Sequence, residues 1–190
     1  MWWREFLQWR RLAGPARLAV VLAAAALTAG CWQPLYGTRP TPGAEGVQDK
    51  FAAIDIPPIV APKGTPAERI AVGMHNALNF DLHNGANAFS PTNQLKVNVG
   101  TSQFTAVIDP TNGRPNTQID RVVASFQLVE MATNKTVVSD SAFAQVDLDI
   151  PGSEQRFAKQ RAVHDAEDRA ILVVAEAIRN RLASYFVAGT

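Results

Sequence analysis

The chain has 190 residues, 18 Lys and Arg against 17 Asp and Glu, 47% hydrophobic residues and a single cysteine. Near-neutral charge argues against a nucleic-acid binder, which carries a strong basic excess, and one cysteine excludes a disulfide within the chain. The length suits one domain with one core once a leader is set aside.

Residues 1–30 read as that leader. Arg4, Arg10, Arg11 and Arg17 stand against one acid, Glu5, and are followed by the uncharged apolar run Leu18 to Thr28 and then by Ala29 and Gly30. A basic start, a short apolar middle and a small-residue exit describe a secretory signal peptide. The run is too short to span a bilayer core, which takes about 20 residues. The stretch LTAGC, ending in Cys31, resembles the bacterial lipobox, with Leu27 one place further from the cysteine than usual. Cys31 is therefore the candidate lipidation site and the first mature residue. A thiol is the side chain best suited to accept a diacylglyceryl group, and two or more acyl chains make a stable anchor where one does not. Removing the leader leaves 14 basic and 16 acidic side chains, a mature charge of −2.

Residues 31–48 read as a lipidated tether, rich in proline and glycine (Pro34, Pro40, Pro42, Gly37, Gly43, Gly46). Residues 49–188 read as a single α+β domain. Phe51 to Ile56 predicts a strand that Pro57-Pro58 ends or confines to an edge. Thr65-Pro66-Ala67-Glu68 predicts a helix start with a capping box. Ile70, Met74, Ala77 and Leu78 share one face, and Asn84-Gly85 stops the helix. Leu95, Val97 and Val99 alternate with polar residues, and the phase then slips to Phe104, Ala106 and Ile108, which predicts a bulge near Gly100. Asp109 to Asn116 is a loop by composition. Val122 to Leu128 and Val138 to Leu148 form two further strands around a turn at Thr133-Asn134-Lys135, with Asp140 breaking the apolar pattern of the last. A long amphipathic helix follows Ser153, with Val163, Ala166, Ala170, Val174, Ala177, Ile178, Leu182 and Tyr185 on its apolar stripe. The order β-α-β-β-β-α predicts an α+β fold: a mostly antiparallel four-stranded sheet with two helices packed on one face. The other face would carry Arg121, Val123, Ser125, Gln127 and Val129 beside Ser139, Ser141, Phe143 and Gln145, a mixed, moderately polar surface.

No catalytic constellation is visible. His75 and His83 stand eight apart on the first helix, a spacing for neither an i,i+3 nor an i,i+4 metal pair, and read as solvated. His164 and Asp165 diverge on a helix. There is no G-x-S-x-G elbow and no P-loop. The sequence thus reads as a non-enzyme that calls for no cofactor or metal. Arg114, Arg121 and Lys135 are the candidate ligand contacts, since cations in loops and at strand starts suit phosphate.

The mature start CWQPLYG resembles the Cys-Gly-Phe-x-Pro-Leu-Tyr-Gly opening of the LPS-assembly lipoproteins of the LptE family, matching at Pro34, Leu35, Tyr36 and Gly37 and departing at Trp32 and Gln33. The segment around Ile54 and Pro57-Pro58, the strand meander, and the ending Asp165 to Phe186 are similar to the family in pattern. The resemblance implies an outer-membrane lipoprotein that plugs the LptD β-barrel, binds lipopolysaccharide and helps assemble it at the cell surface. Arg114 and Lys135 would then reach lipid A phosphates. The alternative is a periplasmic auxiliary lipoprotein of an ABC-type lipid or envelope transport system.

Overall fold

The computed structural model describes residues 46–84, 90–108, 115–149 and 156–188. Cys31, the tether up to residue 45 and Arg114 lie outside the described residues. In chain order the elements are α1 (Val47–Ala52), β1 (Ile54–Asp55), α2 (Pro66–His83), β2 (Asn93–Ile108), β3 (Pro115–Glu130), β4 (Lys135–Asp149) and α3 (Arg156–Ala188). The strands form one sheet in the order β1-β2-β3-β4. The short β1 is parallel to β2 and the other pairs are antiparallel. The expected α+β fold is therefore present, with α2 and α3 packed on the same face of the sheet.

Residues 51–56 differ from the expected continuous strand. Val47 and Phe51, one helical turn apart, are both buried, and the Gly46 N–H donates to Asp49 Oδ2 at 2.9 Å across the first turn of α1. Burying that pair as one helical face leaves only Ile54 and Asp55 for the sheet. The start of α2 also differs in detail. Thr65 is the N-cap residue, but its hydroxyl donates to Pro62 O at 2.6 Å, and Glu68 reaches past it to accept the N–H of Gly64 at 2.7 Å. The left-handed Asn84, φ 52°, ends the helix as expected.

The slip of phase in β2 comes from a change in what the sheet faces, not from a bulge at Gly100. Pairing with β3 runs unbroken from Asn93↔Glu130 through Gly100↔Val123 to Thr105↔Gln118, and irregularities occur only beyond Thr105. Leu95 and Val99 face the helices and are buried, and by strand alternation Thr101 and Gln103 continue on that side. Phe104 keeps the parity of Gly100 and points to the opposite face, where it is 50% exposed. The covered face thus turns polar at this end: Gln103 pairs in register with the buried Asp120 of β3.

The core lies between the sheet and the two helices. Phe51, Ile54, Ile70, Met74, Leu78, Leu95, Phe126, Leu128, Ile178 and Leu182 are fully enclosed there. In α3 the residues 166, 170, 174, 178 and 182 follow one four-residue row and are all buried. Such a row drifts around the helix axis, so Ala177, expected on the apolar stripe, is exposed, while Ile171, Ala175 and Ala183 take up contacts instead. The same face brings α2 and α3 side by side. Arg69 meets Asp168, and Gly73 lies against Ile171, so the helices run parallel. A Cβ on Gly73 would stand 2.9 Å from Ile171 Cδ1, closer than carbon atoms pack, which makes glycine the residue that admits this approach.

Leu128 stands in register with Leu95 on one side and Val138 on the other and is fully buried. Leu128→Ala is expected to destabilise the protein by about 2–5 kcal/mol, read as a lower urea midpoint with an unchanged denaturant slope.

Candidate functional site

Strand alternation places Lys96, Asn98, Gly100, Ser102 and Phe104 of β2 on the face of the sheet opposite the helices, beside Arg121, Val123, Ser125 and Gln127 of β3 and Ser139, Ser141, Phe143, Gln145 and Asp147 of β4. No described helix packs on this face. It carries hydroxyls and amides along its length, with exposed aromatics at Phe143, in the middle of β4, and at Phe104 of β2. Phe143 is 57% exposed and pairs in register with Val123, which pairs in turn with Gly100. The Arg121 guanidinium sits 4.6 Å from the centre of the Phe143 ring, a cation–π contact. This surface can hydrogen-bond along its length and offer apolar and cationic contact around Phe143 and Arg121.

The helix layer is fastened to itself and to the sheet by ion pairs at its margins. Arg69 of α2 bridges two acids of α3: it donates to the buried Glu167, to Asp168 at 2.7 Å, and to the carbonyl of His164 at 3.3 Å. Burial works against the charge of Arg69, but the bonds to Glu167 and Asp168 outweigh it and raise its pKa. A shallow cleft of about 520 Å³ runs beside this bridge, lined by Thr65, Glu68, Arg69, Val72, Gly73, Asn76 and Asp168. On the sheet margin, Asp140 accepts from Arg181 Nε at 2.9 Å and from its neighbour's backbone N–H, Ser141, at 2.8 Å. That N–H bond first, and then Arg181, hold the Asp140 carboxyl below the usual carboxylate range. The polar interruption in the last strand is thus the docking point of α3. It also occupies a donor and a carboxylate in the middle of the outermost strand, a device that discourages edge-to-edge pairing.

The histidines are structural rather than solvated. His83 is buried and donates from Nε2 to Ile54 O at 2.9 Å, and His75 Nε2 donates to Ile56 O at 3.1 Å. A carbonyl only accepts, so each Nε2 carries the proton. Carbonyls two apart on an extended segment point the same way, here toward α2. Residues eight apart on a helix stand about 80° apart around its axis, at roughly 100° per residue, so both rings stay on the side of α2 that faces β1. The spacing that fits no metal pair therefore fits two hydrogen bonds to an edge strand. Asn79 sits between the two rings, 3.2 Å from His75 Nδ1 and 3.3 Å from His83 Nδ1. His164 is exposed on α3. Among the described residues no group of three or more His, Cys, Asp or Glu is placed to hold a metal ion, and no helix is long and apolar enough to cross a membrane.

Of the cations expected to meet phosphate, Arg121 lies on the uncovered face and Lys135 is exposed where β4 begins, opposite Glu130. Nine positions of β3 separate Arg121 from Glu130, which is about 30 Å at roughly 3.3 Å per residue. The two do not converge on one phosphate group. The aromatic pair near the C-terminus has a packing role: the Phe186 ring centre lies 6.1 Å from that of Phe51 of α1, 5.4 Å from that of Tyr185, and 5.5 Å from Lys50 Nζ.

No family model and no curated sequence matches the chain. Solved structures do. A protein from Caulobacter crescentus taken for a lipoprotein is 18% identical with a TM-score of 0.55, and the match covers 75% of this chain and 96% of that one. Rare lipoprotein B from Shewanella oneidensis is 14% identical with a TM-score of 0.51, covering 70% and 96%. An uncharacterised lipoprotein B from Nitrosomonas europaea is 13% identical with a TM-score of 0.52, covering 72% and 84%. At these identities the likeness is one of fold: the chain has an architecture similar to that of rare lipoprotein B.

Arg69→Met keeps the stem of the side chain and removes the partner of the buried Glu167. The expected cost is about 2–3 kcal/mol, less than for a fully enclosed pair because Arg69 is partly exposed. Glu167→Met in the same background should recover part of that loss in a chemical-denaturation cycle, since it removes the buried group left without its cation.

Proposed function

We propose that this protein is an outer-membrane lipoprotein, held on the periplasmic side by acylated Cys31, that plugs and supports an LptD-type β-barrel and helps assemble lipopolysaccharide at the cell surface. The observation that carries the reading is the uncovered sheet face, in a fold similar to that of rare lipoprotein B. The lumen of a wide barrel is polar and wet. A wedge that sits in it needs a surface of hydroxyls and amides that tolerates water, with enough apolar contact to hold one orientation. Ser125, Gln127, Ser139 and Ser141 meet the first need, and Phe143 and Phe104 the second. The role is non-catalytic: His75 and His83 are bonded to backbone carbonyls and an asparagine, not to a nucleophile or an acid.

The CWQPLYG opening and LTAGC support the same reading from the other end of the chain, as the leader and anchor of such a protein. Two or three acyl chains on Cys31 supply the membrane affinity. Among the cations, Arg121 is the phosphate contact that this reading favours, because it lies on the uncovered face. Lys135, about 30 Å away at the start of β4, would serve a separate contact.

Two measurements test the proposal. A photo-crosslinking residue at Ser125 of the full chain, expressed in a Gram-negative host, is expected to capture a large outer-membrane β-barrel. Capture of an inner-membrane ATPase complex instead would support a transport auxiliary. Mass spectrometry is expected to find an acylated Cys31 as the first mature residue, and Cys31→Ser is expected to release the protein from the membrane fraction. An unmodified sulfur in the processed wild type overturns the anchor.

A further inference from the structure

Asp120 is the most anomalous side chain among the described residues. It lies on the covered face of β3, is 0% exposed, and neither carboxylate oxygen has a hydrogen-bond partner. Its register neighbours are Gln103 on β2 and Val146 on β4. Across it runs the N-terminal half of α3, which contributes the charges that act on it: Glu167, itself 3% exposed, and Lys159. From α2 comes Arg69, but its guanidinium is committed to Glu167 and Asp168. The site therefore holds two enclosed acids, of which Arg69 is bonded to Glu167 and not to Asp120, with the exposed Lys159 as the other cation acting on Asp120.

An ionised carboxylate that has no fully formed hydrogen bond and only the Gln103 amide as a weak donor, enclosed next to a second acid, is costly, whereas its protonated form is tolerated. We infer that Asp120 is a proton-operated latch, on which the N-terminal half of α3 closes while the carboxyl is neutral and from which it loosens when the carboxyl ionises. The covered face of the sheet turns polar at this end, through Thr101, Gln103 and Asp120, so this half of α3 has less apolar surface to hold it than the half beyond Ala170. The buried residues of α3 bear this out in number, with Ala166 and Glu167 before that point and Ile171, Val174, Ala175, Ile178, Leu182 and Ala183 after it.

The direction follows from linkage. Burial first, and then Glu167, push the Asp120 carboxyl up, and the Gln103 amide and Lys159 pull it partly back. A group with a raised folded-state pKa stabilises fully below its unfolded value, and that contribution is lost as pH rises through the folded value. The latch is thus closed in acid and loosens toward neutrality. This inference concerns the domain alone and does not depend on the barrel reading.

Hydrogen–deuterium exchange of the full chain, corrected for intrinsic exchange rates, tests it in residues 156–170. From about pH 4 upward the opening constant of that segment is expected to rise by up to about tenfold per pH unit and then level off at the folded-state pKa. Asp120→Asn, which is isosteric and cannot ionise, is expected to remove the rise. Glu167→Gln is expected to keep a rise but to level off at lower pH, because the like charge is gone. Asp81, also pushed up by burial, sits by Arg179 near the other half of α3, so the comparison is variant against wild type within residues 156–170. A segment that opens equally at all pH values in the wild type overturns the latch. So does an unchanged rise in Asp120→Asn, or, should that variant not fold, a rise in Glu167→Gln that levels off at the wild-type pH.

Discussion

The seam between α2 and α3 is the contact on which the architecture depends. Two helices laid parallel on the same face must lie close enough together to cover β2, β3 and β4 between them. Gly73 allows this by offering no Cβ to Ile171. Arg69 then bridges to Glu167 and Asp168 at one end of the seam, and near the other end Asp81 lies within electrostatic reach of Arg179 and Glu176. With both helices committed to one side, the sheet's second face has no cover from them. Its hydroxyls, amides and aromatic patch follow from that asymmetry, because a face that is not packed by the domain must be compatible with water or with a partner.

The edges of the sheet show the same economy. β1 is too short to hold itself by ladder bonds, and α2 completes it from the side with His75 and His83, which take the carbonyls that face away from β2. At the opposite edge, Asp140 turns its carboxylate toward Arg181 of α3 and takes the N–H of Ser141. Both edges are therefore tied to the helix layer by side chains. Each helix fastens one edge, and the central pairing of β2 with β3 carries the continuous register.

Much of this was legible in the sequence because it rests on local rules. The period-two runs around Val97, Ala124 and Ala144 and the four-residue row from Ala166 to Leu182 each specify one buried face, and the order of elements specifies the fold class. What was not legible depends on contacts between distant segments. Nothing local distinguishes Val47–Phe51 as a helical pair from a strand beginning at Phe51, since the choice is made by burial against α2 and α3. The spacing of His75 and His83 is informative only when the carbonyls of Ile54 and Ile56 are known to lie beside them. Phe104 mimics a slip of register because the covered face has already turned polar. Asp120 reads as a polar residue at the start of a strand until the register puts it beneath α3.

In the proposed reading, the uncovered face and the acylated Cys31 divide the work of the molecule in a way that chemistry makes intelligible. Membrane affinity, in the proposed reading, resides entirely in acyl chains on Cys31, at about 0.8 kcal/mol per buried methylene. A domain relieved of that task has no need of a membrane-inserting surface and can keep a face polar enough for a wet cavity. It must still be oriented once it is there, and a short tether does not fix rotation. That role falls to the few groups on the face that cannot be satisfied by water alone: Phe143 under the Arg121 guanidinium, with Val123 beside it and Phe104 on the same face. The Phe143 and Arg121 contact lies mid-strand and Phe104 lies toward one end, so these groups are spread unevenly among the hydroxyls and amides and give the face a direction.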